Sequence, residues 1–183
     1  MTFSWNHALL DQLAFAWDVQ FLPRMADLTD AEYLWEPVPG GWSVRPDGAG
    51  SWKPDWAKPE PDPPPFTTIA WRLAHIATFF GERASNHFGD GSFDPATVAW
   101  TGSADDALRI VRAEYARWRD GVRGLGEDGL FRPCGPAEGP YADEPFLMLV
   151  LHINREFLHH AAEVALLRDL YRETAAKASR SVR

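Results

Sequence analysis

Phe146-Leu147-Met148-Leu149-Val150-Leu151-His152-Ile153-Asn154-Arg155-Glu156-Phe157-Leu158-His159-His160 opens the longest apolar-patterned run in the chain. Asp143 or Glu144 opens this segment, and Pro145 sits at the first turn, where a missing N–H costs nothing. The spacing predicts a helix from Phe146 to about Glu173. On such a helix His152, Glu156 and His160 stand four apart on one face, with His159 beside them. An imidazole and a carboxylate at that spacing can both reach one divalent ion about 2 Å from each donor.

Working back toward the N-terminus, three more helical stripes appear. Ser103 caps a segment from Ala104 to Val122, where Asp105 and Asp106 suit the positive helix end. Leu108, Val111, Tyr115 and Trp118 form its apolar face. Thr67 or Thr68 caps a segment reaching Phe88, with Ile69, Leu73, Ile76, Ala77 and Phe80 on one side and Gly89-Asp90-Gly91 as its stop. Phe3 to Leu22 forms the first helix, capped by Ser4 or Asn6 and ended or kinked at Pro23. Four amphipathic helices with no convincing alternating strand predict an all-α four-helix bundle.

Between the first two long helices the texture changes. Nine of the fifteen prolines fall within 36–65, together with Trp42, Trp52 and Trp56. Proline excludes a helix there, and the tryptophans give the segment the means to pin itself onto a core. Long loops of this kind serve as lids or binding loops. The expected organisation is a single domain over 1–173 with a flexible tail over 174–183.

The chain of 183 residues carries 18 Lys and Arg against 26 Asp and Glu, a net charge of −8. That field disfavours nucleic-acid and anionic membrane partners. No run of eighteen apolar residues exists to span a bilayer. The start of the chain lacks a basic, apolar leader, and one cysteine, Cys134, allows no internal disulfide. A cytoplasmic protein is the expectation.

A third ligand must come from another helix, and His75 is the candidate. It lies mid-helix among Ala70-Trp71-Arg72-Leu73-Ala74-His75-Ile76. Bundles place inward-projecting ligands in this way. His75, Glu156 and His160 would form a two-histidine, one-carboxylate set that suits Zn, Ni, Fe or Mn and leaves positions open. The same residues taken singly also fit a hydrogen-bonded core histidine and a surface pair.

Three stretches carry a family resemblance: Leu34-Trp35-Glu36-Pro37 through Gly40-Gly41-Trp42-Ser43-Val44-Arg45, then Thr67 through Ile76, then Arg155-Glu156 with His159-His160 and Glu163 through Tyr171. In these the chain resembles the DinB-like superfamily of bacterial four-helix proteins, including the YfiT-like metal-dependent hydrolases. The resemblance implies a DinB-like bundle with the long Pro/Trp-rich loop between its first two long helices. It also implies three metal-binding histidines, one mid-helix and two spaced by four on the last helix. His75 and His160 match, and Glu156 stands where the family has the remaining histidine. A divalent transition metal, zinc or nickel, is then the expected cofactor, with a low-molecular-weight thiol as a second one, because the superfamily includes mycothiol- and bacillithiol-dependent enzymes. The implied function is a metal-dependent hydrolase or a thiol-dependent transferase or isomerase acting on a small molecule. The alternative is a non-catalytic metal-binding or stress-associated dimeric bundle, and a homodimer is expected in either case.

Further residues complete the expectation. His159 is the candidate acid–base group at the cavity rim, and His152 could extend the polar face or replace Glu156. Trp42 and Trp71 are candidate pocket walls. Arg72 and Arg45 are candidate partners for a substrate or thiol-cofactor carboxylate. Cys134 reads as a bystander in a surface turn, His7 as a cap-region group and His87 as a helix-dipole partner. Arg168, Asp169 and Arg172 read as a solvated or dimer-facing charge group.

Overall fold

The computed structural model describes residues 3–181. Helix α1 covers Trp5–Phe15, capped by Ser4, whose hydroxyl accepts from the His7 N–H at 3.2 Å. The chain then widens into a π-helical stretch, Ala16–Phe21, and tightens into a 3-10 turn, Leu22–Met25, around Pro23. A single turn, α2 (Asp30–Tyr33), is capped by Thr29. The remaining long helices are α3 (Ile69–Phe88), α4 (Ala104–Gly129) and α5 (Phe146–Ser181). Thr68 and Ser103 supply the side-chain caps of α3 and α4. Gly126, at φ 63°, breaks the regular geometry near the end of α4.

Helix α3 packs on α4 and α5, and α1 closes the ring by packing on the same two. The result is an all-α bundle with α1 diagonal to α3. Its centre is aromatic. Trp17 stacks on Tyr115 with centroids 3.8 Å apart, and Phe21, Phe80 and Phe157 pack edge-on or tilted around them. Burial of such large rings dominates the energetics of a core this size. Gly121 is required for close approach: a Cβ there would lie 2.1 Å from the Phe88 ring.

Two expectations about the connections need correcting. The Pro/Trp-rich loop is not strand-free, because β1 (Val44–Pro46) and β2 (Trp52–Pro54) form an antiparallel pair. The prolines occupy strand ends, where a missing donor is tolerated. Asp47 Oδ1 accepts from the Ala49 and Ser51 amides and turns the hairpin. The loop is then sewn to α3: the Trp42 N–H donates to Phe66, the Thr68 N–H to Trp42, and the Trp71 indole to the Asp55 carbonyl at 2.8 Å. Helix α5 also runs to Ser181, past the end expected near Glu173, and the last two residues of the expected tail lie outside the described residues.

Two side-chain expectations are corrected as well. Cys134 is buried at 4% exposure rather than lying in a surface turn, with its thiol 3.7 Å from the Pro145 carbonyl. Arg168 is fully buried and grips Glu32, so it is neither solvated nor dimer-facing. The exposed pair beside it is Arg24 with Asp169.

Candidate metal centre

Helices α3 and α5 bring three donors together. Their facing sides carry His75 and the Glu156–His160 pair, and the ligand atoms of all three lie within 4.8 Å of one another. The His160 Nε2 is 3.6 Å from Glu156 Oε2. A tetrahedral ion with bonds of about 2 Å holds its donors about 3.3 Å apart. The α5 pair therefore already has nearly that spacing, as expected of residues one helical turn apart. The His75 and His160 rings meet edge-on with centroids 4.8 Å apart.

Burial and packing prepare His75 as a donor. Burial pushes the His75 imidazole down to about 4, with the nearby His160 and Arg72 adding to the shift and Glu163 opposing it. His75 is thus neutral at pH 7, with a lone pair to give. One face of its ring stacks on Trp71 at 5.1 Å and Phe79 meets it edge-on, which fixes its plane.

His160 is oriented from behind. Glu163 Oε2 lies 2.7 Å from His160 Nδ1 and 3.0 Å from the Arg72 Nε. The 2.7 Å contact is that of an Nδ1–H donating to a carboxylate, so the Nε2 lone pair is left facing Glu156 and His75. This assigns the tautomer from the hydrogen-bond network. Glu163 is a half-buried carboxylate, and its partial burial alone would raise it; the His160 hydrogen bond and the Arg72 charge outweigh that and hold it below the usual carboxylate range. A second group, His159, His160 and Glu163, is also close enough to chelate. The Arg72 guanidinium at 3.2 Å from His160 Nδ1 occupies that side with positive charge, which disfavours a cation there.

A cavity of about 710 Å³ opens onto the donors, lined among others by His75, Glu156, Trp71, Phe79, Trp56 and His152. His160 itself is only 5% exposed and backs the wall. Trp56, from the loop after β2, runs nearly parallel to Trp71, at 6° with centroids 6.3 Å apart. The sewn loop therefore forms part of the cavity wall. Lys53 and Lys58 reach the same cavity from the loop.

The other candidates fall elsewhere. His159 is exposed, pairs with Glu163 at 3.3 Å and does not line the cavity. Arg72 is committed to Glu163 and His160. Trp42 packs against Trp56 and Trp71 and does not line this cavity. Arg45 pairs with Glu36 and Asp55 on the surface, and His7 with Asp11. His87, expected as a dipole partner, is instead buried against Glu138 at 2.9 Å. Sequence reasoning expected tryptophans of the Pro/Trp-rich loop to close the pocket, as Trp56 does, but missed Phe79 and Arg83 as lining residues. Phe79 had a legible signal, since it lies one turn beyond His75 on the same helix face.

A family model described as the DinB superfamily matches residues 12–164, and the chain belongs to that superfamily, whose members commonly bind metal. Comparison with curated proteins and with solved structures gave no match. Among the described residues no helix is long and apolar enough to cross a membrane.

Proposed function

We propose that this chain is a metal-dependent enzyme acting on a small molecule, with a divalent ion, zinc or nickel, held by His75, Glu156 and His160. One observation carries it: three donors from two helices converge at the wall of an open cavity rather than in a sealed core. A closed, four-ligand arrangement would instead suit a structural ion. The donor set has two nitrogens, one oxygen and no thiolate, which fits a borderline ion with positions left for another ligand.

When bound, such an ion supplies Lewis acidity, lowering the pKa of a coordinated water or thiol. The chain's own residues do the rest. His75 presents a neutral imidazole because its pocket refuses the proton. Glu163 holds the Nδ1 proton of His160 and so fixes which nitrogen faces the site. Trp56, Trp71 and Phe79 exclude water and offer flat apolar surfaces to the substrate body. His152, which lines the cavity with its Nδ1 3.6 Å from Glu156 Oε1, is the imidazole placed to accept or return a proton. Hydrolysis and thiol transfer both need these parts.

Calorimetric titration of untagged protein with zinc and with nickel at fixed pH tests the assignment. Binding near one equivalent with a rise in Tm is expected. Glu156→Gln keeps the shape but loses the charge, so affinity should fall at least about 10-fold, or 1.4 kcal/mol. Glu156→His should bind again. Unchanged affinity in Glu156→Gln, with loss in His152→Ala, would move the site along α5 and overturn the ligand set.

A further inference from the structure

A second cavity of about 690 Å³ lies beside the first, and Arg83 and His152 line both. Its other walls come from the 3-10 segment Pro136–Tyr141 and the start of α5. Either volume alone is enough for a drug-sized ligand, since such sites run about 300–1,000 Å³. The two cavities meet at Arg83 and His152, and a channel continued across that boundary would start at the metal donors, since Glu156 lies 3.6 Å from His152.

The chemistry of the far end is apolar. Pro140, Tyr141, Met148 and Leu149 line it. Tyr141 is 67% and Met148 50% exposed, so neither is spent on the core. Most of the charges there are already matched. Arg83 pairs with Glu82 and Glu138, while Arg155 lies 2.8 Å from His152 Nδ1 and beside Glu156. Among the described residues the lining charge without an ion pair is Glu144, an anion, which would repel an anionic tail. A cationic tail would meet the two guanidiniums.

We infer that the natural ligand is an elongated amphiphile: a polar, metal-seeking head at His75, Glu156 and His160, and an uncharged apolar tail that passes between Arg83 and His152 into the second cavity. The inference rests on the proposed metal site for the head and on the second cavity for the tail.

The probes are straight-chain hydroxamates from two to twelve carbons, titrated by calorimetry into the zinc-loaded protein. Each buried methylene adds about 0.8 kcal/mol, roughly fourfold. The eight-carbon compound should therefore bind at least about 100-fold tighter than acetohydroxamate, with the gain levelling off once the tail fills the channel. Ala137→Trp and Met148→Trp place bulk in the second cavity at exposed positions. Both should leave acetohydroxamate binding unchanged, which also reports an intact fold, and should cut the chain-length gain to below about 10-fold. A gain that survives both variants would put the tail in the first cavity and overturn the inference. So would acetohydroxamate binding with no chain-length gain, which would leave the metal site standing. Failure of acetohydroxamate to bind a protein that also takes up no zinc would instead overturn the metal site, and the channel's head group with it.

Discussion

Arg168 and Arg72 are both guanidiniums turned inward onto a carboxylate across α5, and they differ in what is left over. Arg168 donates through Nε and Nη2 to the two oxygens of Glu32, at 2.7 and 3.0 Å, and through Nη1 to the backbone carbonyls of Arg24 and Ala26. Its side chain is 1% exposed and that of Glu32 is 4%. Every polar atom has a protein partner, so the cluster can take no ligand. Arg72 and Glu163 are 20% and 30% exposed, and they spend their charge on holding one nitrogen of His160. The other nitrogen is left without a strong partner beside a cavity. A saturated ion pair fastens the last helix to the loop after α1; an unsaturated one prepares a donor.

Breaking the saturated pair should have the larger effect on folding. Removing one partner of a buried pair typically costs about 3–5 kcal/mol, because the other charge is left buried and unpaired. Arg168→Ala should therefore lower unfolding free energy by about that amount in urea titration, with the folded fraction keeping its zinc affinity. The double variant Arg168→Met with Glu32→Leu should recover much of the loss, since no charge is stranded.

That same pair shows what the sequence could and could not convey. Helical periodicity and the caps at Ser4, Thr68 and Ser103 depend on near neighbours, and these read directly into α1, α3 and α4. The donors were legible for the same reason, because Glu156 and His160 are one turn apart and His75 interrupts an apolar face. Glu32 lies 136 residues from Arg168, and no local pattern ties them. The run Arg168-Asp169-Leu170-Tyr171-Arg172 looks like a solvated face until the turn at α2 is folded against it. His87 and Glu138 were hidden likewise, 51 residues apart. The β1–β2 pair was masked by proline, whose cost depends on whether it falls at the end or the middle of a strand.

The second effect belongs to the open cluster. His75 is pushed down to about 4 by burial and by neighbouring positive charge, whereas an unfolded histidine titrates near 6.5. Between those values the unfolded chain binds a proton that the folded chain does not, so stability falls as pH falls through this window. The full difference is at most about 3 kcal/mol. Metal-free protein should lose stability from pH 6.5 toward 4 in chemical denaturation, and His75→Asn should flatten that slope. An unchanged slope would mean that the pocket admits the imidazolium.

Next comes the support behind His160. Losing a carboxylate that orients a ligating histidine typically costs 10- to 100-fold in metal affinity. Glu163→Ala should therefore weaken zinc binding by about 10-fold at pH 7.5, while Arg72→Gln should have a smaller effect, because the Nδ1–H contact to Glu163 survives. Native affinity in Glu163→Ala would show that packing by Trp71 and Phe79 suffices to fix the site.

The smallest effect is expected one residue away. His159 is 64% exposed at its side chain and meets Glu163 Oε1 at 3.3 Å, on the opposite oxygen from His160. An exposed pair of this type contributes about 0.2–1 kcal/mol or less. It does not line the cavity at the donors, so His159→Ala should change zinc affinity less than about twofold and stability by under about 0.5 kcal/mol. His160→Ala in the same titration should abolish measurable binding. The contrast between two adjacent imidazoles sharing one carboxylate isolates orientation from mere proximity: Glu163 touches both, but it turns a lone pair toward the other donors only in His160. A large loss in His159→Ala would transfer the site to the His159, His160 and Glu163 group and would require Arg72 to swing away from it.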